Sequence, residues 1–241
     1  MKKKKIVCNF KTAVSINDYQ QIIEDVSHYE EKNVDIIFAP PVAYMALDSK
    51  GIKKCSQDIS FNNSFYEVGE ITASTIKEAN AEYVLIGHCH RRNYYGEKET
   101  DFVKKINVAL DNNLKVIYCV GETLEEFERR KSLSVLEHQI ARVLNNVDNL
   151  NNIVIAYEPV FLISNMSKKF NKLDSIYLNE TLSFIKNLIK NYYNIEIPLL
   201  YGGSVNSENI EFLKSLDVDG VLLGKSALDT QELIKICDSF N

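Results

Sequence analysis

The chain alternates between short apolar runs and longer stretches in which apolar residues recur every three or four positions. The runs are rich in Ile, Val and Leu. Most lack the alternation of apolar and polar residues that marks a strand with one solvent-exposed face. This pattern is typical of strands buried on both faces of a parallel sheet. It predicts eight strands, the third being the weakest, at residues 5–10, 35–40, 54–59, 83–88, 115–122, 153–159, 198–204 and 220–225.

Three of the intervening stretches have the spacing of amphipathic helices. Residues 17–32 cluster apolar side chains among acids and amides, and residues 177–193 carry them at intervals of three and four. Thr123 and Glu126 form a capping-box pattern, which predicts that a helix begins there and extends to about residue 145. The chain therefore alternates strands with helices.

Eight strand–helix units follow one another with only four prolines and without a linker rich in glycine and serine. This continuity predicts a single domain over residues 1–241. Eight units are the number of a (β/α)8 barrel, the α/β fold in which parallel strands close into a cylinder inside a ring of helices. A doubly wound open sheet is the alternative.

Polar, titratable and glycine residues gather where the predicted strands end. In a parallel barrel these ends meet at one rim, and that rim carries the functional site. We therefore expect the segment VLIGHCHRRN, residues 84–93, to form one wall of a shared pocket at this rim. The polar, titratable and glycine residues at the strand ends are Asn9, Lys11, Gly87, His88, Cys89, His90, Arg91, Arg92, Gly121, Glu122, Glu158, Gly202, Gly203, Ser204, Gly224, Lys225 and Ser226.

The composition argues against several classes of protein. Of the 241 residues, 45% are hydrophobic and 25% are charged, which is ordinary for a globular protein. The net charge of −5 argues against a nucleic-acid-binding domain, which is usually basic. The one basic run, at residues 2–5, is typical of a solvated tail, and no apolar stretch is long enough for a signal peptide or a membrane span.

Two possible motifs are rejected on their spacing. The five cysteines are scattered without a C-x-x-C pair, which argues against a disulfide framework or a zinc knuckle and favours a reducing cytoplasm. The segment GVLLGKS at residues 220–226 resembles a nucleotide-binding P-loop, but three residues separate its glycines instead of four. Those three are apolar and belong to a predicted strand.

Six short motifs occur in order at the predicted strand ends: NFK, IGHCHRR, YCVGETLEE, AYEPV, LYGGSVN and DGVLLGKSAL. Through them the chain resembles the triosephosphate isomerase family along its whole length. The resemblance implies a TIM barrel that interconverts dihydroxyacetone phosphate and glyceraldehyde 3-phosphate through an enediolate. It also implies a small phosphorylated triose as substrate, a homodimer, and neither a metal nor a cofactor.

Such an isomerisation needs a base, an electrophile for the enediolate oxygen and an anchor for the phosphate. The resemblance implies that Glu158 is the base, that His88 is the electrophile and that Lys11 sets a positive charge against the substrate. Asn9 is implied to position both Lys11 and the substrate. A helix that begins directly after His88 would favour its neutral imidazole, because the N-terminal end of the helix dipole is positive.

The phosphate anchor is implied to lie in the last third of the barrel. Ser204, Gly224 and Lys225 stand in the turns after the seventh and eighth strands, where backbone N–H groups can bind phosphate. Ser164, in the lid segment after the sixth strand, completes the implied substrate-binding set.

The chain departs from the family pattern beside the active site. Cys89 stands for the usual serine and His90 for the usual glutamate of the fourth-strand motif. A histidine supplies no negative charge and, if protonated, would repel Lys11. Lys225 stands where the family usually has a second glycine, so its backbone N–H is kept while its side chain is new.

Two loops depart as well. Ser164 and Met166 replace the lid glycines, and a serine costs conformational energy wherever the glycine needs a positive φ. In the loop at residues 65–70, Val68 stands for the threonine that family members lend to the neighbouring subunit. We therefore expect a homodimer whose contact differs from the usual one.

Three functional hypotheses follow. The first is a triosephosphate isomerase, active or weakened, that uses the intact Asn9, Lys11, His88 and Glu158. The second is a divergent barrel that binds a sugar phosphate with weak or no turnover, because fold does not guarantee function. The third is a metal-dependent hydrolase in which His88 and His90, on one strand face, share a metal ion.

Overall fold

The computed structural model describes residues 3–30, 32–62, 66, 68–163 and 175–240. Parallel strands pair in chain order, and β1 also pairs with β8, so the sheet closes into the predicted eight-stranded barrel. The strands are β1 (Lys4–Asn9), β2 (Val34–Ala39), β3 (Lys53–Ser56), β4 (Ala81–Ile86), β5 (Lys115–Val120), β6 (Ile153–Tyr157), β7 (Leu199–Tyr201) and β8 (Gly220–Leu223).

Helices lie between the strands and surround the barrel. Those in the described part of the chain are α1 (Ile16–Ser27), α2 (Ala73–Glu78), α3 (Cys89–Tyr95), α4 (Glu99–Asp111), α5 (Leu124–Glu128), α6 (Ser132–Leu144), α7 (Val160–Ile163), α8 (Ser175–Tyr193), α9 (Ile210–Lys214) and α10 (Thr230–Phe240). Short 3-10 turns occupy Val42–Tyr44 and Lys225–Leu228.

Side chains of each strand point alternately into the barrel and outward to the helices, because successive residues of a strand face opposite sides. On β1, Val7 lies in the interior, whereas Ile6 and Cys8 pack in the outer layer beneath the helices. The interior holds the buried side chains of Val7, Ile37, Ala39, Cys55, Tyr83, Leu85, Ile117, Cys119, Val154, Ala156, Leu200 and Leu222. The barrel is therefore packed through its middle, and a ligand can approach it only at its two ends.

The long helix predicted after Thr123 is wrong as a single helix, since it is divided into α5 and α6. Its predicted start is confirmed, because the hydroxyl of Thr123 accepts the N–H of Glu126 at 3.3 Å and the carboxylate of Glu126 accepts the N–H of Thr123 at 2.8 Å. Arg130 has a φ of 55°, a left-handed conformation that ends a helix. The helical spacing of apolar residues continues across Arg130, so the sequence pattern does not show that the helix is interrupted there.

Several other boundaries lie earlier than predicted. The strand predicted through residue 88 ends at Ile86, because Gly87 turns the chain with a φ of 79°. A Cβ at Gly87 would lie 2.8 Å from Cε2 of Tyr118, so the position also requires the absence of a side chain. His88 consequently lies outside the strand, where α3 begins. The helix predicted over residues 17–32 ends at Ser27.

None of the helices in the described ranges is long and apolar enough to cross a bilayer. All five cysteines are buried and free of disulfides, as their spacing predicts. Val221, Leu222 and Leu223 lie in β8, so the segment that resembles a P-loop is a strand, as predicted.

Leu85→Ala is expected to lower the free energy of unfolding by about 2–5 kcal/mol, because it opens a cavity in the packed interior. Leu85 is fully buried, whereas Leu133 on α6 is 44% exposed and provides a matched control. Leu133→Ala should change the free energy of unfolding by no more than about 0.5 kcal/mol. Chemical denaturation followed by circular dichroism measures both, and equal losses would contradict a packed interior.

Candidate active site

Lys11 lies beyond the end of β1 in a left-handed conformation, with a φ of 52°. It lies outside the strand, whereas Asn9 is the last residue of β1. Asn9 still contacts it, since its Oδ1 accepts the backbone N–H of Lys11 at 3.1 Å. Nε2 of Gln57 donates to the carbonyl oxygen of Lys11 at 2.8 Å. These two contacts hold a backbone conformation that is uncommon for a residue with a side chain.

His88 is the N-cap residue of α3, and its ring has a defined hydrogen-bonding direction. Nδ1 of His88 accepts the backbone N–H of His90 at 3.2 Å. A nitrogen that accepts a hydrogen bond carries no proton, so the proton of the neutral ring is on Nε2. A helix begins directly after His88, since α3 starts at Cys89. His88 therefore presents a neutral ring with an N–H donor.

Glu158 follows β6 directly, and its carboxylate faces His88. Oε1 of Glu158 lies 3.6 Å from Nε2 of His88, and both side chains are less than 10% exposed. Within the described residues, neither Nε2 of His88 nor Oε2 of Glu158 has a hydrogen-bond partner. Buried polar groups are nearly always paired, so two unpaired ones facing the same space are typical of a place that a ligand completes.

Two glycines make room for Glu158. A Cβ at Gly121 would lie 1.9 Å from the carbonyl oxygen of Glu158, and one at Gly202 would lie 2.7 Å from its Cγ. No side chain fits at either distance. The ends of β5 and β7 therefore press closely against the backbone and side chain of Glu158.

Two thiols flank the carboxylate. Cys89, Cys119 and Glu158 line a small cavity of about 10 Å³. Burial raises the pKa of Cys89 to about 12, with the negative charge of Glu158 adding to the effect. Burial and Glu158 together raise the pKa of Cys119 well above its usual range. Both thiols are therefore protonated and unreactive at neutral pH.

His90 stands over the imidazole of His88. Their ring centroids are 5.0 Å apart and the rings meet edge to face. Burial lowers the pKa of His90 below 6.5, and the positive charge of Lys11 lowers it further, against the opposing effect of Glu158. His90 is therefore neutral at pH 7 and does not repel Lys11.

The residues expected to bind phosphate come together only in part. A Cβ at Gly224 would lie 3.9 Å from Nζ of Lys11, so the turn after β8 lies beside the lysine. Lys225 is exposed and begins a 3-10 turn. The hydroxyl of Ser204 donates to the carbonyl oxygen of Leu162 in α7. Ser164 lies outside the described residues.

Glu122 lies just after the end of β5, as expected, but its side chain is turned away from solvent. The side chain is fully buried and its Oε1 accepts hydrogen bonds from the hydroxyls of Tyr157, at 3.0 Å, and Tyr177. Burial raises the pKa of Glu122, which the two hydroxyls oppose. Since Tyr177 is in α8 and Tyr157 in β6, Glu122 ties the helix to the barrel behind the site.

The metal hypothesis lacks a ligand set. Among the described residues, no group of three or more His, Cys, Asp or Glu side chains could hold a metal ion. His88 and His90 do not share a strand face, because β4 ends at Ile86 and α3 begins at Cys89. The geometric premise of the hydrolase hypothesis is therefore wrong.

Comparison with known proteins agrees with the fold and with the family resemblance of the sequence motifs. The family model described as triosephosphate isomerase matches residues 4–240. The chain belongs to the triosephosphate isomerase family.

Curated relatives match it over nearly its whole length. The triosephosphate isomerase of Dictyoglomus thermophilum is 35% identical over 255 aligned residues, which cover 99% of this chain and 100% of the relative. That of Thermodesulfovibrio yellowstonii is 32% identical, with 98% and 99% covered. The enzyme of Saccharomyces cerevisiae is 32% identical, with 97% and 96% covered. A similarity that leaves no large part of any chain unmatched indicates one common barrel.

Three residues with no role assigned from the sequence hold this site in place. Arg92 donates from Nε to the carbonyl oxygen of Gly87 at 2.9 Å and from Nη2 to that of Cys119 at 3.1 Å, which joins the ends of β4 and β5. Gln139 of α6 exchanges two hydrogen bonds with the backbone of Gly121. Gln57, which contacts Lys11, stands two positions after Cys55, whose side chain lies in the barrel interior. Because side chains of a strand alternate, this spacing predicts that Gln57 points to the same side.

Nitrogen-15 NMR of the imidazoles should place the proton of His88 on Nε2 and give His90 a pKa below 6.5. Lys11→Met is expected to raise the pKa of His90, because it removes a positive charge that disfavours the imidazolium. Lys32→Met, at an exposed position remote from the barrel rim, is the control and should leave it unchanged. If Lys11→Met left the pKa of His90 unchanged, the charge of Lys11 would not lie close to His90.

Proposed function

We propose that the chain interconverts dihydroxyacetone phosphate and glyceraldehyde 3-phosphate by proton transfer through an enediolate. One observation carries the proposal: Nε2 of His88 and Oε1 of Glu158 lie 3.6 Å apart, almost wholly buried. A carboxylate and a neutral N–H donor that face one space can act on adjacent carbon and oxygen atoms of a small substrate.

Glu158 acts as the base. Its carboxylate removes the proton from the carbon beside the carbonyl group and returns it to the neighbouring carbon. The position is supported by Gly121 and Gly202, which hold the residue from two sides. General base catalysis depends on this kind of placement, because the base must lie within hydrogen-bond reach of the proton it removes.

His88 and Lys11 act on the oxygen atoms. The Nε2–H of His88 donates to the carbonyl oxygen while negative charge develops there, and the fixed charge of Lys11 stabilises the enediolate. The fixed hydrogen bond from His90 to Nδ1 of His88 supports this direction of donation. Such groups need no rearrangement during the reaction, which is why preorganised donors are effective.

The substrate phosphate binds beside Lys11 at the turns after β7 and β8. The proposal rests on the approach of Lys11 to Gly224 and on the exposed cation of Lys225. Ser204 contributes through its backbone, because its hydroxyl is directed to Leu162. Ser164 is proposed as a further ligand on the family resemblance alone.

The alternative is a sugar-phosphate binder with weak turnover, and one observation favours it. Among the described residues, no carboxylate forms an ion pair with Lys11, because His90 stands where the family has glutamate. An uncompensated lysine would bind an anionic substrate strongly without favouring its transition state over its ground state. Measured turnover separates the two candidates.

We also infer a homodimer in the cytoplasm. Large apolar side chains are exposed on the loop that follows β3 and on α3, which follows the adjacent strand β4. They are Tyr66, Val68, Tyr94 and Tyr95, each at least 68% exposed. Exposed apolar groups at this density are typical of a protein interface. The five free cysteines support a reducing compartment.

Glu158→Asp and His88→Gln are each expected to lower kcat by roughly 100-fold or more. The first moves the carboxylate by about 1 Å, and the second removes a positioned proton donor. A coupled assay with glyceraldehyde 3-phosphate measures both. Glu125→Asp and His138→Gln, at exposed helical positions, are matched controls and should retain full activity. Wild-type protein that binds substrate but does not turn it over would favour the binder instead.

Light scattering on a sizing column is expected to give twice the chain mass of 27.6 kDa. Val68→Glu and Tyr94→Glu should shift the protein towards the monomer, because a charge buried at an interface without a partner is costly. Tyr192→Glu, at a side chain 72% exposed on α8, is the control. A monomeric wild-type protein would contradict the dimer, and an unchanged dimer in both variants would place the interface elsewhere.

A further inference from the structure

Three lysines face one another at the barrel end opposite the active site. Lys5, Lys53 and Lys115 each stand two positions before an interior residue of β1, β3 and β5. Because side chains of a strand alternate with a period of two, all three point to the axis of the barrel at the amino ends of the strands. We call these three residues the basal lysines.

The basal lysines line a cavity of about 270 Å³. Asp35, Tyr83 and Asn152 contribute to the same walls. The floor is apolar, since it is the packed interior that begins with residues such as Tyr83. The cavity is thus a cup with charged walls and hydrogen-bonding groups, separated from the active site by the length of the strands, about 20 Å.

Among the residues that line the cup, three lysines stand against one carboxylate, that of Asp35. Nζ of Lys53 lies 2.8 Å from Oδ1 of Asp35, and this carboxylate is the acid that lines the cavity. Nζ of Lys115 lies 3.5 Å from Glu82 and 5.0 Å from the ring centroid of Tyr83. The pairs are partly exposed to solvent, so each attraction is weak.

Lys5 is the least compensated of the three. Among the described residues, no carboxylate lies within ion-pair distance, 4.0 Å, of its amine. Burial lowers the pKa of Lys5, and the charges of Lys53 and Lys115 lower it further, while the carboxylates of Asp35 and Asp219 raise it. An anion in the cup would relieve both the repulsion and the lost hydration.

We propose that the basal lysines form a binding site for a compact multivalent oxyanion of the pyrophosphate class. β1 and β3, and likewise β3 and β5, are separated by one strand and lie about 10 Å apart. That span suits two linked phosphate groups better than one. Lysine amines are strong donors to phosphate oxygens, and the Asn152 amide and Tyr83 hydroxyl add neutral donors. The site is independent of the proposed isomerisation.

Equilibrium dialysis with inorganic pyrophosphate tests the proposal. The measurement uses the full chain carrying Lys11→Met, which weakens phosphate binding at the active site and leaves the basal site intact. We expect one pyrophosphate per chain, and at least tenfold weaker binding when Lys5→Met or Lys115→Met is added. Lys32→Met is the matched control and should not change the affinity. Binding should also weaken as salt concentration rises.

A further variant tests the site by a gain of affinity. Asp35→Asn removes the carboxylate of the cup and is expected to tighten pyrophosphate binding several-fold, which a merely misfolded variant would not do. Inorganic phosphate should bind at least tenfold more weakly than pyrophosphate. Absence of saturable binding in the Lys11→Met protein, equal affinity in the Lys5 and Lys32 variants, or equal affinity for the two anions would each overturn the proposal. In the otherwise unchanged chain, Lys5→Met should leave the isomerase rate unaltered.

Discussion

The close approach of the ends of β5, β6 and β7 is the constraint on which the active site depends. Gly121 and Gly202 leave only the space of a hydrogen atom beside Glu158, and Gln139 fixes the backbone of Gly121 from behind. Glu158 is thereby held towards His88 by backbone contacts instead of by a partner of its own. A carboxylate positioned in this way keeps its oxygen atoms available.

The arrangement has a thermodynamic cost that the rest of the barrel must offset. Nε2 of His88 and Oε2 of Glu158 are buried without partners among the described residues. Each unpaired buried group of this kind costs on the order of 1–3 kcal/mol. The apolar interior beneath the rim and the helices around it provide the stabilisation, so the reactive end of the barrel depends on packing that takes no part in chemistry.

The sequence predicted the barrel because buried parallel strands and amphipathic helices have distinct hydrophobic periods. A chain with eight successive strand–helix units can form few other folds. It located His88 and Glu158 because strand ends meet at one rim. It failed where one backbone angle decides the structure: Arg130 divides a helix, and Gly87 ends β4 two residues early. It did not reveal the contacts of Glu122, because a strand-end acid can turn inward to two tyrosine hydroxyls and no local pattern shows this. The role of Arg92 was not evident because its contacts join segments that are distant in the chain.

The left-handed backbone of Lys11 sets a limit on how this protein can be improved. Glycine would adopt that conformation without steric cost, whereas a residue with a side chain stores about 1–3 kcal/mol there. Selection for thermal stability alone would therefore favour removal of the Lys11 amine, which lies beside Gly224. At this position durability and chemistry favour different amino acids, so any programme of stabilisation has to hold it fixed.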